Sequence, residues 1–187
     1  MSNGNGVSKT ISNAMDSMSG KAQELGEAIA KKAAPAIKQV KARYCYHLDY
    51  KQWDAYADLF CKNATLDVDR SVKTRDRGDG NPLPQLRGRA AIRAAMPPML
   101  DAADTVHQVH SPIIEMISPG EIKAIWAMED IVRMPGFHLE GRGHYREHYV
   151  VEDGAWRIAS LHLTRTWINM VEGDSAGPDT PAAGGQA

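Results

Sequence analysis

A histidine facing an apolar pocket can take or give a proton near neutrality, because its ordinary pKa lies close to 6.5. The segment TVHQVHSPII carries two, His107 and His110. In an extended chain residues three apart face opposite sides, so at most one of them enters a given pocket, unless Pro112 marks a bulge that changes the parity. Two charged residues stand among apolar neighbours in a comparable way. In AIWAMEDIV, Asp130 shares a strand face with Trp126 and Met128, an unfavourable place for an unpaired carboxylate. In ASLHLTRTW, Arg165 shares a face with Ala159, Leu161, Leu163 and Trp167. The plain alternative for both is a solvated strand end or a structural pair. Tyr44 belongs to the apolar side of a helical segment, so its phenol is expected to point inward, as a donor or as a core ring. His144 and His148 share a strand face, but Arg146 between them repels a cation and no third ligand has characteristic spacing. No metal site is expected there.

These side chains need elements to hold them. Ile37, Val40, Tyr44 and Leu48 recur at three- and four-residue steps, which predicts a helix over 36–50. Trp53, Tyr56, Ala57 and Phe60 predict a short helix over 53–60. A strand over 65–69, a polar loop over 70–87 and a third helix over 88–96, ended by Pro97 and Pro98, follow. Four strands are expected over 105–117, 121–134, 142–152 and 155–169. The first two are joined by Ser118-Pro119-Gly120 and the last two by Asp153-Gly154, a strong hairpin cue. Helices grouped ahead of an antiparallel meander predict an α+β domain with the helices on one face of the sheet.

Before that domain, residues 1–34 read as an extension, flexible and then helical from Lys21, with Leu25 and Ile29 as a thin stripe. Pro35 suits the first turn of a new helix. The domain is expected over 35–170, followed by a Gly-, Pro- and Ala-rich tail over 171–187. A net charge of −1 gives no basic field for a nucleic-acid backbone. No apolar run is long enough for a membrane span and no secretory signal is evident, so a cytoplasmic location is the expectation. Cys45 and Cys61 form no disulfide framework and have no thiol-activating motif.

The segments IKQVKARYCYHLDYKQWDAYADLF, TVHQVHSPIIE, AIWAMEDIV and GRGHYREHYVVEDGAWRIASLHLTRTW, in that order, resemble the SnoaL-like proteins of the nuclear transport factor 2-like superfamily. The resemblance covers about residues 36–170 and implies a cone of curved sheet closed by helices around a pocket. Within that superfamily the pattern looks most like the bile acid 7α-dehydratase branch, with scytalone dehydratase more distant. It implies a lyase without metal or organic cofactor, acting on a small hydrophobic hydroxylated substrate such as a steroid or an aromatic compound. The catalytic group so implied is Tyr44, Asp49 and His107, with Asp130 and Arg165 at pocket positions, while Trp126, Met128 and Phe137 are themselves residues that suit an apolar substrate pocket. The resemblance also implies a homo-oligomer, a trimer or dimer.

Geometry agrees with this in part. Five residues turn an ideal helix about 140° beyond a full circle, so Tyr44 and Asp49 do not share a helix face and the helix end must bring them together. A carbon–carbon lyase releasing formaldehyde from an aromatic diol needs the same proton transfers, as does an isomerase or cyclase. A non-catalytic binding module is the alternative of a different class.

Overall fold

The computed structural model describes residues 4–70 and 85–172. The larger part of the loop expected over 70–87, the tail from 173, the first three residues and the side chains of Leu25 and Ile29 lie outside the described residues. Three helices, α1 (Gly4–Asp49), α2 (Trp53–Ala57) and α3 (Arg89–Leu100), combine with six strands. The strands are β1 (Phe60–Arg70), β2 (Leu86–Arg87), β3 (Asp104–Ser118), β4 (Glu121–Met134), β5 (Phe137–Glu152) and β6 (Ala155–Glu172). They form one sheet in the order β2-β1-β6-β5-β4-β3. The β3–β6 meander is antiparallel throughout, whereas β1 runs parallel to β6, so the sheet is mixed. The α+β class with helices on one face of the sheet is what the pattern predicts.

One face of each long strand is closed against the helices. On β4 it carries Ile122, Ala124, Trp126, Met128 and Asp130, and on β5 Leu139, Tyr145, Glu147 and Tyr149, all buried. Ile37, Tyr44 and Leu48 of α1, Trp53 and Tyr56 of α2, and Ile92 and Met96 of α3 complete the same core. The β5–β6 turn keeps Asp153 and Gly154 at φ 53° and 77°, the doubly left-handed turn that matches the twist of a hairpin.

Several boundaries differ from the sequence pattern. The helix divided at Pro35 is continuous from Gly4 to Asp49, with Pro35 inside it and exposed. Likewise α3 does not stop at Met96 but carries Pro97 and Pro98 to Leu100. Burial of Ile92 and Met96, with Leu100 packed against the core on the same side, outweighs the two lost amide donors. On β6 the register shifts opposite Arg142/Gly143. Trp167, expected to share a face with Arg165, is therefore turned outward, 41% exposed, where the Arg142 guanidinium lies 5.1 Å from its ring.

That bulge depends on Gly143. A Cβ there would overlap the carbonyl oxygen of Thr164 and stand 2.7 Å from the Arg165 Cα. Backbone cannot turn aside as a side chain can. Gly143→Ala is therefore expected to lower the unfolding free energy by about 3 kcal/mol, the upper end of overpacking costs. Urea denaturation checks this, and a loss within about 0.5 kcal/mol, the usual surface range, would show that the strand crossing is not tight.

Candidate active site

Asp49 is the last residue of α1, and β3 begins beside it, so the helix end delivers a carboxylate to the first inward-facing residues of the strand. The His107 Nδ1 lies 2.6 Å from Asp49 Oδ1. The His107 backbone amide donates to Oδ2 at 3.0 Å, and the Thr105 hydroxyl donates to Oδ1 at 2.9 Å. Burial alone would raise the Asp49 pKa, but the hydrogen bonds from the His107 ring and amide, with His107 charge and Thr105 behind them, hold it below the ordinary carboxylate range. An ionised carboxylate only accepts. Nδ1 therefore carries the proton in this pair, and Nε2 is the nitrogen free to act as base. His107 is nearly enclosed, its side chain 7% exposed.

The two histidines separate as alternation predicts. Ser111 has φ 48° and the β3–β4 register shifts between His110 and Ile113. The His110 side chain stays on the outer face of the sheet, 3.8 Å from Glu129. His148 binds Glu121 at 2.8 Å.

Tyr44 sits deeper than the dyad, 3% exposed, in a ring cluster with Tyr56, Phe60 and Tyr145 at centroid distances of 5.1, 6.2 and 5.8 Å. A hydrogen bond joins its hydroxyl to that of Tyr56. Burial, with Tyr56 and Tyr145 beside it, pushes its phenol well above the ordinary range. It is thus a neutral donor at any moderate pH. Trp126 and Met128 are buried on β4, in line with Asp130. Asp130 is the cross-strand neighbour of His107, and its carboxylate is bonded to the Arg165 guanidinium, both groups nearly enclosed. The pair lies over Gly141, where a Cβ would overlap Arg165 Nε and Asp130 Oδ1. Phe137 follows the inward parity but lies half-buried at the β4–β5 turn, paired with Met134 and Glu172. Two concavities, of about 300 and 210 Å³, open on the other side of the sheet, beside Lys123, Arg146 and His148 and beside Glu129, Arg142 and Trp167.

The protein belongs to the SnoaL-like family, whose domain model matches residues 32–162. A protein of Gibberella zeae named probable cyclase FGR4 is 29% identical over 151 residues, spanning 77% of this chain and 98% of that one. Among solved structures, a putative scytalone dehydratase from Novosphingobium aromaticivorans superposes with a TM-score of 0.63 at 20% identity, over 84% of this chain and 99% of that one. A hexachlorocyclohexane dehydrochlorinase, LinA-type3 from Novosphingobium barchaimii, gives 0.60 at 14% identity, over 82% and 99%. At such identities the two structures share the fold.

Two buried charges are not singled out by the sequence pattern. Lys41 and Glu147 form an ion pair at 2.5 Å, both side chains fully enclosed. The Tyr149 hydroxyl also bonds Glu147, and the Lys41 ammonium lies 3.9 Å from the Tyr44 ring centre and 3.5 Å from that of Tyr145. Burial draws the Lys41 pKa down, and the Glu147 carboxylate opposes that. A signal is present all the same: Lys41 falls four residues after Ile37 and three before Tyr44, and Glu147 alternates with Tyr145 and Tyr149. Removing one partner leaves a bare charge in the core, which costs about 3–5 kcal/mol. Lys41→Met alone is expected to destabilise by that amount, and Lys41→Met/Glu147→Gln to recover most of it, as read by urea denaturation. Equal losses in both would mean that the charges are not energetically coupled.

Proposed function

We propose that the protein is a lyase working without metal or organic cofactor, most simply a dehydratase, on a small hydrophobic hydroxylated ring compound of the steroid or aromatic type. The observation that carries this reading is the 2.6 Å contact between Asp49 and His107 Nδ1, on a histidine whose side chain is only 7% exposed. A carboxylate on one ring nitrogen orients the imidazole and stabilises its cation, which makes the other nitrogen a competent general base.

In this reading His107 Nε2 takes a proton from the carbon next to the one bearing the hydroxyl. The electron pair forms the double bond, the carbon–oxygen bond breaks, and the leaving hydroxide departs as water with the proton the histidinium has just taken. Tyr44 donates a hydrogen bond to the oxygen on which charge develops. Trp126 and Met128 supply apolar surface, with Phe137 nearer the β4–β5 turn, while Asp130 and Arg165 form the polar wall beside His107. The names of the two structural neighbours, a dehydratase and a dehydrochlorinase, denote eliminations and support the same reaction class for this chain. The finer likeness to bile acid 7α-dehydratase supports a steroid among the candidates.

A cyclisation is the second reading, favoured by the probable cyclase of Gibberella zeae; it uses the same donor and base on a substrate whose nucleophile is internal.

Incubation with hydroxysteroids and aromatic diols, followed by mass spectrometry, separates dehydration from the rest: loss of one water for dehydration, a one-carbon fragment for aldol cleavage, unchanged mass for isomerisation or an additive cyclisation. His107→Ala and Asp49→Asn are each expected to lower turnover about 10²–10⁴-fold. Full turnover in either variant would remove that residue from the mechanism.

A further inference from the structure

Behind the dyad lies a second hydrogen-bonded step. The Lys51 ammonium donates to the Thr105 hydroxyl oxygen at 2.7 Å, and that hydroxyl donates to Asp49 Oδ1 at 2.9 Å. The same Oδ1 is the atom 2.6 Å from His107 Nδ1. An ammonium carries only donors, and a threonine hydroxyl has one hydrogen. With its oxygen occupied by Lys51, Thr105 has its hydrogen committed to Asp49.

The backbone at Lys51 has an unusual conformation for a lysine. It has φ 56° just past the end of α1. Its amide bonds the Leu48 carbonyl at 3.3 Å, and the Gln52 amide bonds the His47 carbonyl at 2.8 Å. This is the pair of bonds that closes a helix through one left-handed residue, a position where glycine is the common occupant. Here the residue is a lysine, and its side chain reaches β3.

We propose that Lys51 and Thr105 are positioning residues that set the tautomer of His107. Lys51 turns the Thr105 hydroxyl onto Asp49, that bond holds the ionised carboxylate against the His107 ring, and the His107 proton is thereby kept on Nδ1 with Nε2 left as the base. The inference rests on the reading of His107 as that base and extends it to the residues that prepare it. The charged groups around this chain are Asp49 from α1, Asp101 after α3, Asp104 on β3, and Asp130 across from His107 on β4. Lys51 is the cation that bonds Thr105. Its pKa is drawn down by burial, and the carboxylates of Asp49, Asp104 and Asp101 oppose that shift.

Nitrogen-15 NMR of the imidazole side chains tests this without any substrate, since the two-bond proton–nitrogen pattern differs between the tautomers. Measured above the histidine pKa, the full chain is expected to show His107 in the Nδ1–H form. Lys51→Gly removes the ammonium while placing at φ 56° the residue that position favours, so its thermal midpoint is expected to be unchanged or higher. Thr105→Val removes the hydroxyl at nearly constant shape. Both variants leave Asp49 ionised but free its carboxylate to turn from the ring, so each is expected to show an Nε2–H population beside the Nδ1–H one, and Lys51→Arg and Thr105→Ser to restore the pure Nδ1–H pattern. A pure Nδ1–H pattern in Lys51→Gly and Thr105→Val would overturn the proposal while leaving His107 as base intact. An Nε2–H pattern in the unaltered protein would contradict the acid–base reading itself.

Discussion

The carboxylate of Asp49 receives three hydrogen bonds from β3: two from His107, ring and amide, and one from Thr105. That concentration of donors fixes where α1 ends relative to the sheet. It also orients an imidazole in the same act, so a folding contact and the proposed catalytic contact are one interaction. A capping carboxylate at the C-terminal end of a helix is electrostatically unfavourable, since that end already carries partial negative charge. The β3 donors and the Lys51 ammonium offset this. The position therefore makes sense as a site whose geometry matters more than its local propensity.

Around that junction the inner face of the sheet holds more charge than a core ordinarily tolerates. Asp130, Glu147 and Arg165 are buried on it, and Lys41 reaches it from α1. Each charge has an opposite partner, Lys41 with Glu147 and Arg165 with Asp130. Pairing makes such groups tolerable, because an isolated ion in the interior is strongly disfavoured. Space is made by omission: Gly141 leaves room for the Asp130–Arg165 pair, and Gly143 lets β5 and β6 cross closely. The rings of Tyr44 and Tyr145 flank the Lys41 ammonium, and the Tyr149 hydroxyl donates to Glu147, so the first pair is enclosed by aromatic side chains.

Much of this is legible in the sequence. Period-two alternation places Trp126, Met128 and Asp130 on one face, and Asp153-Gly154 marks its hairpin. Separation of His107 from His110 also follows from alternation, because the Ser111 bulge comes after both. Alternation misplaces Trp167 because a bulge on β6 reverses parity, and bulges leave little trace in a pattern of two. The helix end expected at Met96 is wrong because packing of Ile92, Met96 and Leu100 on one face outweighs the local rules for proline, and α1 likewise runs on through Pro35. Lys41 and Glu147 pass unnoticed because a lone charge in an amphipathic pattern reads as solvated until its partner, 106 residues away, is known. The meeting of Asp49 with His107 follows from resemblance, as helix geometry alone turns Asp49 away from Tyr44.

In the proposed mechanism Asp49 acts through His107, not beside it. Groups that act as a unit show strongly non-additive losses. The direct measurement is kcat for Asp49→Asn, His107→Ala and the double variant on whichever hydroxylated ring compound the protein turns over. If the pair is a unit, the double variant is no slower than the worse single one. Losses that multiply, with the double variant slower by the product of the two single effects, would contradict that mechanism.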